Sequence, residues 1–97
     1  MKRTVIRRLR PAALRGIVSS REWTAYRLTV FRSNLAIGAL LRSLRLGAGV
    51  RQVEIARALR VSPQAVGAWE SGRARISSYQ ERRYRDAVVD RAERRAA

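Results

Sequence analysis

Histidine and cysteine are absent from the 97 residues, and lysine occurs once, at Lys2. Without them the chain can form no disulfide, no thiol nucleophile, no imidazole base and no zinc site built on Cys or His. Acids are scarce, with 7 Asp and Glu against 22 Lys and Arg, and they nowhere cluster as an acid–base pair would require. Nor is there a glycine-rich phosphate loop. No enzyme activity, metal or cofactor is expected. Long apolar runs are missing too: the longest, Leu35 to Leu41 with Gly38 counted in, falls short of the roughly 20 residues that cross a bilayer as a helix. The N-terminus MKRTVIRRLRPAALRG lacks the apolar stretch of a secretory signal. Its freedom from acids before Glu22 is shared with Arg-rich transit peptides, but the expectation is a soluble cytoplasmic protein.

What remains is arginine and enough apolar material to fold. Of the cations, 21 are Arg; the formal net charge is +15, and 46 % of residues are hydrophobic. Such a surface repels itself and suits a polyanion, nucleic acid first and an acidic membrane surface second. The charge is uneven: +8 over residues 1–33, +5 over 34–77 and +2 over 78–97. Arginine usage this extreme also fits a GC-rich genome.

Helical spacing dominates from Ser33 onward. Asn34 is placed as an N-cap, Ile37, Leu40, Leu41 and Leu44 follow on one face, and Gly47 and Gly49 end the helix near Leu46. Ile55, Ala56 and Leu59 mark a second helix, with Arg60-Val61 as a short connection. Ser62 caps a third with Pro63 at its first position, and Gly72 closes it. A fourth runs from Tyr79 to Arg95 with Tyr84, Val88 and Ala92 in line, its last turns from Asp90 expected to fray. Upstream the signals conflict. Ser19 and Glu22 form a capping box, whereas Tyr26, Leu28 and Val30 alternate like a strand; helix is favoured. Residues 3–18 are either a short helix interrupted by Pro11 or a basic arm. The fold class is therefore all-α: a small helical bundle at 34–97 behind a basic N-terminal extension at 1–33.

The segment QVEIARALRVSPQAVGAWESGR, Gln52 to Arg73, meets the needs of two short crossed helices. Ile55, Leu59, Val61, Val66 and Trp69 supply the apolar core, Ala56 lets the axes approach, and polar Gln52, Glu54, Arg57, Gln64 and Arg73 fall between. This is a helix-turn-helix layout, which offers its second helix to the DNA major groove. Residues 34–90 resemble the Cro/phage-repressor type of helix-turn-helix domain, also called XRE-like. The resemblance rests on the Leu-Arg-x-Leu-Arg helix, the Gly49-Val50-x-Gln52 entry, Ile55-Ala56, the Val61-Ser62 turn and the Trp69-Glu70-x-Gly72-Arg73 exit. One residue departs: Arg60 stands where the family often has Gly, at a position expected to be left-handed, at a cost of about 1 kcal/mol.

The resemblance implies the following roles. Gln52 and Ser62 hold phosphates, and Arg51, Arg73 and Arg75 contact the DNA backbone. Pro63, Gln64, Gly67 and Ala68 face the bases. Only Gln64 has hydrogen-bonding reach, best used bidentate on adenine, while Pro63 and Ala68 suit thymine methyls. With so thin a reading surface, DNA shape must contribute to any specificity. Arg45 and Glu70 are expected to form an ion pair that orients the recognition helix. Outside the family frame, Gln52 and Gln64 read as ordinary exposed glutamines. Trp69 reads as core rather than as a base-stacking residue.

Arg82, Arg83 and Arg85 alternate with Glu81, Asp86 and Asp90, which suggests i,i+4 pairing on a solvated helix. The unopposed arginines from Arg3 to Arg15 suit an arm along DNA. Trp23, Tyr26, Val30 and Phe31 suit a stripe packed on the first helix of the motif, or a dimer surface. The expected function is sequence-specific duplex DNA binding by a homodimeric repressor or regulator on an inverted repeat. Two alternatives remain. One is an antitoxin that represses its own operon and would co-purify with a toxin; the other is a general nucleic-acid module, RNA included, that binds any polyanion with a steep salt dependence.

Overall fold

Four capped helices make up residues 33–97, the part of the chain that the computed structural model describes: α1 Asn34–Gly47, α2 Gln52–Leu59, α3 Pro63–Ser71 and α4 Ser78–Ala96. The conflicting signals at 19–30, the basic arm and the Trp23/Tyr26/Val30/Phe31 stripe lie outside the described residues. Among those described there is no strand, and no helix is long and apolar enough to cross a membrane.

Serines set three of the four starts. Ser33, Ser62 and Ser77 each stand in extended conformation and accept the N–H of Ala36, Ala65 and Gln80 at 2.9, 3.1 and 3.1 Å. The α1 cap is thus Ser33, one residue before the Asn34 expected from the sequence, because the Ser33 hydroxyl reaches the Ala36 N–H and Asn34 is already helical. Helix α2 starts differently. Its cap is Arg51, and the Glu54 carboxylate reaches back to the Arg51 N–H at 2.9 Å. Pro63 opens α3, and Gly72, at φ +79°, ends it. Arg60 takes the left-handed conformation expected of it, φ 58° and ψ 44°, so that the Val61 N–H can return to the Ala56 carbonyl at 3.0 Å.

Helix α3 packs on α1 and α2, and α4 packs on α2 and α1. Leu41, Val50, Ile55, Val66, Tyr84 and Val88 form the solvent-free centre. Ala56 and Leu59 are buried beside them, with Val61 and Trp69 half-buried at the edge. Gly38 permits the α1–α3 crossing: a Cβ there would stand 2.1 Å from the Trp69 carbonyl oxygen.

The α4 end is better held than its composition suggests. The turns from Asp90 were expected to fray, yet the helix continues to Ala96. Ala92 is buried, Arg91 and Arg95 both reach Glu54, and Arg95 also donates to the Gly49 carbonyl. The pairs Glu81–Arg85 and Asp90–Arg94 have the expected i,i+4 spacing, but Glu81 is buried, so that side of the helix is not the solvated face expected.

Candidate nucleic-acid interface

The α2–α3 pair opens a shallow concavity on its outer face. Gln52 from the start of α2, Ser62 and Pro63 from the turn, Gln64, Ala65, Gly67 and Ala68 from α3, and Arg73 beyond it line this surface. Seven of the nine positions given a DNA-contacting role therefore meet in one place. Arg51 and Arg75 are exposed but lie outside this lining.

The first turn of α3 has a defined donor inventory. Pro63 has no N–H, and the Ala65 N–H is taken by the Ser62 hydroxyl oxygen, which leaves the Gln64 N–H as the turn's donor for an incoming acceptor. The Ser62 hydroxyl, accepting from Ala65, keeps its own proton to give. Both short helices begin at this surface, Gln52 opening α2 and Pro63 opening α3, so their positive ends would favour an anion there. Arg73 Nε donates to Ser71 Oγ at 3.0 Å, which steadies the guanidinium on the rim. No carboxylate lines the concavity.

Gln52 is more constrained than its assignment as a phosphate ligand implies. Its Nε2 donates to Glu70 Oε1 at 3.0 Å, and its amide lies across Gly67, 3.8 Å from where a Cβ would stand. One amide proton is committed to the protein; the second remains for a ligand.

Behind this face lies a buried polar junction. Glu70 accepts two bonds from Arg45, Nε to Oε2 at 2.7 Å and Nη2 to Oε1 at 2.8 Å, while Arg45 Nη1 donates to the Val50 carbonyl at 2.9 Å. The expected ion pair is present, bidentate, and deeper than a half-buried bridge: its side chains are 8 % and 2 % exposed. Tyr84 adds a hydroxyl 2.5 Å from Glu70 Oε2 and 3.1 Å from the Leu41 carbonyl. Every helix thus contributes one member. Burial alone would raise the Glu70 carboxyl, but the hydrogen bonds from Arg45, then Tyr84 and Gln52, hold it below the usual carboxylate range. Burial likewise opposes the charged form of Arg45, and Glu70 outweighs it and raises the guanidinium. The Tyr84 hydroxyl is pushed far up, first by burial and then by the neighbouring carboxylate.

A second carboxylate organises the other side of α2. Glu54 is buried and accepts from the Arg51 N–H, from Arg91 Nε at 3.2 Å and from Arg95. Burial pushes its carboxyl up, but the Arg51 N–H and then the Arg91 and Arg95 side chains bring it to about 2. Among the described residues no group of acidic side chains could hold a metal ion.

Tyr84, Glu54, Arg91 and Arg95 carry functions that the sequence pattern did not assign to them. Tyr84 was legible as an apolar contact, and a tyrosine on a buried stripe signals an unassigned hydroxyl partner. Glu54 stood three residues after Arg51 at a helix start, the capping-box interval, but nothing local linked it to Arg91 or Arg95 some 40 residues on.

A family model described as a helix-turn-helix domain matches residues 36–96. No curated protein and no solved structure matches the chain.

Proposed function

The chain belongs to the helix-turn-helix domain family, and from that premise we propose that it binds duplex DNA in a sequence-dependent manner as a small transcriptional repressor. The observation that carries this reading is the convergence of Gln52, Ser62, Gln64 and Arg73 on one carboxylate-free concavity at the starts of two helices. Helix α3 enters the major groove. Gln64 reads an adenine, Pro63 and Ala68 meet thymine methyls, and Gly67 allows close approach. Ser62, the free amide proton of Gln52, and Arg51, Arg73 and Arg75 hold phosphates. The protein acts as a homodimer on an inverted repeat, with half-sites about one helical turn apart, on cytoplasmic nucleoid DNA.

A second reading has its own support. Gln64 is the one residue of the base-facing set able to hydrogen-bond a base edge, while the chain carries a net charge of +15. Those facts favour a general nucleic-acid binder if shape readout is weak. Selection of bound fragments from a random duplex library at about 0.15 M salt separates the two. Recovery of a two-fold motif with fixed half-site spacing supports the repressor. Binding without enrichment, fading as salt rises, supports the general binder and overturns the repressor.

A further inference from the structure

We propose that Tyr84, on the helix that contributes nothing to the concavity, is a positioning residue for the DNA-facing side chain of Gln52, acting through the Glu70 carboxylate. The inference deepens the duplex-binding reading in its consequence and is independent of it in its geometry.

The bonding of Glu70 is complete and divided between its two oxygens. Oε2 takes the Tyr84 hydroxyl at 2.5 Å and Arg45 Nε at 2.7 Å; Oε1 takes Arg45 Nη2 at 2.8 Å and Gln52 Nε2 at 3.0 Å. A carboxylate is rigid, so any constraint on the direction of Oε2 also fixes Oε1. Arg45 alone grips both oxygens in one plane and leaves the carboxylate free to rock about that fork. The Tyr84 hydroxyl, arriving from α4, removes this freedom. It is itself immobilised, because the Tyr84 ring is fully buried and its oxygen also lies 3.1 Å from the Leu41 carbonyl. The neutral hydroxyl is retained at every ordinary pH, since both burial and Glu70 disfavour its ionisation. Gln52 is the weakest and outermost member of the set, half-buried at the lip of the concavity. It has the longest bond and the least packing, so it is where a lost constraint is felt first.

This arrangement makes the position of α4 legible at the DNA face. It predicts that removing one oxygen atom from α4 loosens a side chain to which that oxygen is not hydrogen-bonded.

The test is made on the full chain without DNA, so that it stands whether or not the duplex-binding reading does. In Tyr84→Phe, the Gln52 side-chain amide signals in a ¹⁵N–¹H spectrum should move. Their exchange with water should quicken about five-fold, the factor released by loss of one modest hydrogen bond. Val88→Ala is the control: Val88 is buried on the same helix and has no polar atom to bond any of the four groups, so the substitution lowers stability and should leave those signals in place. If Tyr84→Phe does not fold, 3-fluorotyrosine placed at 84 keeps the ring and strengthens the hydroxyl as a donor. It should move the Gln52 amide signals and slow their exchange. Unmoved Gln52 signals in the variant that folds, or an equal movement in Val88→Ala, would overturn the proposal. On duplex DNA, Tyr84→Phe should weaken binding to selected and random sequences alike, as the loosening of a phosphate contact requires.

Discussion

Arg45 holds Glu70 across 25 residues of sequence with two N–H···O bonds of 2.7 and 2.8 Å, and its remaining nitrogen is occupied by the Val50 carbonyl at 2.9 Å. A guanidinium satisfied on three sides, in a place almost closed to water, is replaced by nothing else in the set of amino acids. Arg45→Ala strands a buried carboxylate and should cost about 3–5 kcal/mol. Arg45→Lys keeps the charge and loses the fork, so most of the loss should persist. Urea unfolding with an unchanged slope measures both. A loss below about 1 kcal/mol for Arg45→Ala would be the value for a solvated pair and would contradict the burial.

Acid should unfold the domain through two carboxylates. Glu54 lies at about 2 in the folded protein against an ordinary 4.5, and Glu70 is shifted in the same direction. A depressed folded value means that the stabilisation is complete above the unfolded value and disappears as pH falls through the folded one. Tm should therefore be flat near neutrality and fall steadily from about 4.5 toward 2. Glu54→Gln should lower Tm at neutral pH and make the acid slope shallower. A slope unchanged in that variant would remove Glu54 from the account.

Two backbone positions should respond in opposite directions. Alanine normally favours a helix over glycine by about 1 kcal/mol. At Gly38, however, its Cβ would meet backbone atoms of Trp69 and Glu70 at 2.1 to 2.9 Å, and backbone cannot step aside cheaply. Gly38→Ala should destabilise by about 1–3 kcal/mol or more. At Arg60, φ 58° strains any residue with a Cβ, so Arg60→Gly should stabilise by up to about 1 kcal/mol, several degrees in Tm for a domain of this size. Calorimetry of the two variants checks both signs.

On DNA, Gln64 and Arg73 should fail differently. Gln64→Ala removes the one base-edge hydrogen bond and should flatten preference at a single position by about 1–3 kcal/mol while changing the salt dependence little. Arg73→Ala should weaken binding to all duplexes alike and reduce the slope of log affinity against log salt by about one. Titrations on selected and scrambled duplexes at two salt concentrations distinguish them. If Gln64→Ala leaves base preference intact, its assignment as a reader is wrong.

The sequence made the helices legible because their ends are chemically marked: serine and proline at starts, glycine at stops, and apolar spacing between. The left-handed backbone of Arg60 was expected from the family resemblance instead, because Gly often stands at that position in the family. The Arg45–Glu70 pair came from family resemblance, because residues 25 apart leave no local trace of their contact. What escaped notice were the partners that depend on tertiary packing. Periodicity placed Tyr84 on the buried stripe but could not show where its hydroxyl ended. Glu54 read only as a polar residue between core positions; its burial comes with the docking of α4, whose Arg91 and Arg95 reach it. Gly38 passed as one small residue in an apolar run, because only the crossing of α1 over α3 reveals the carbonyl against it.

Helices α2 and α3 have 8 and 9 residues, too short to persist alone. Each carries one buried carboxylate that is tied by side chains of other elements, Glu54 by Arg91 and Arg95 and Glu70 by Arg45, Tyr84 and Gln52. Neither helix can open by itself without stripping Glu54 or Glu70 of its partners, so the low-energy partial openings by which small helical domains fray are closed to this pair. The two helices should unfold only together with the rest of residues 33–97, as one cooperative unit.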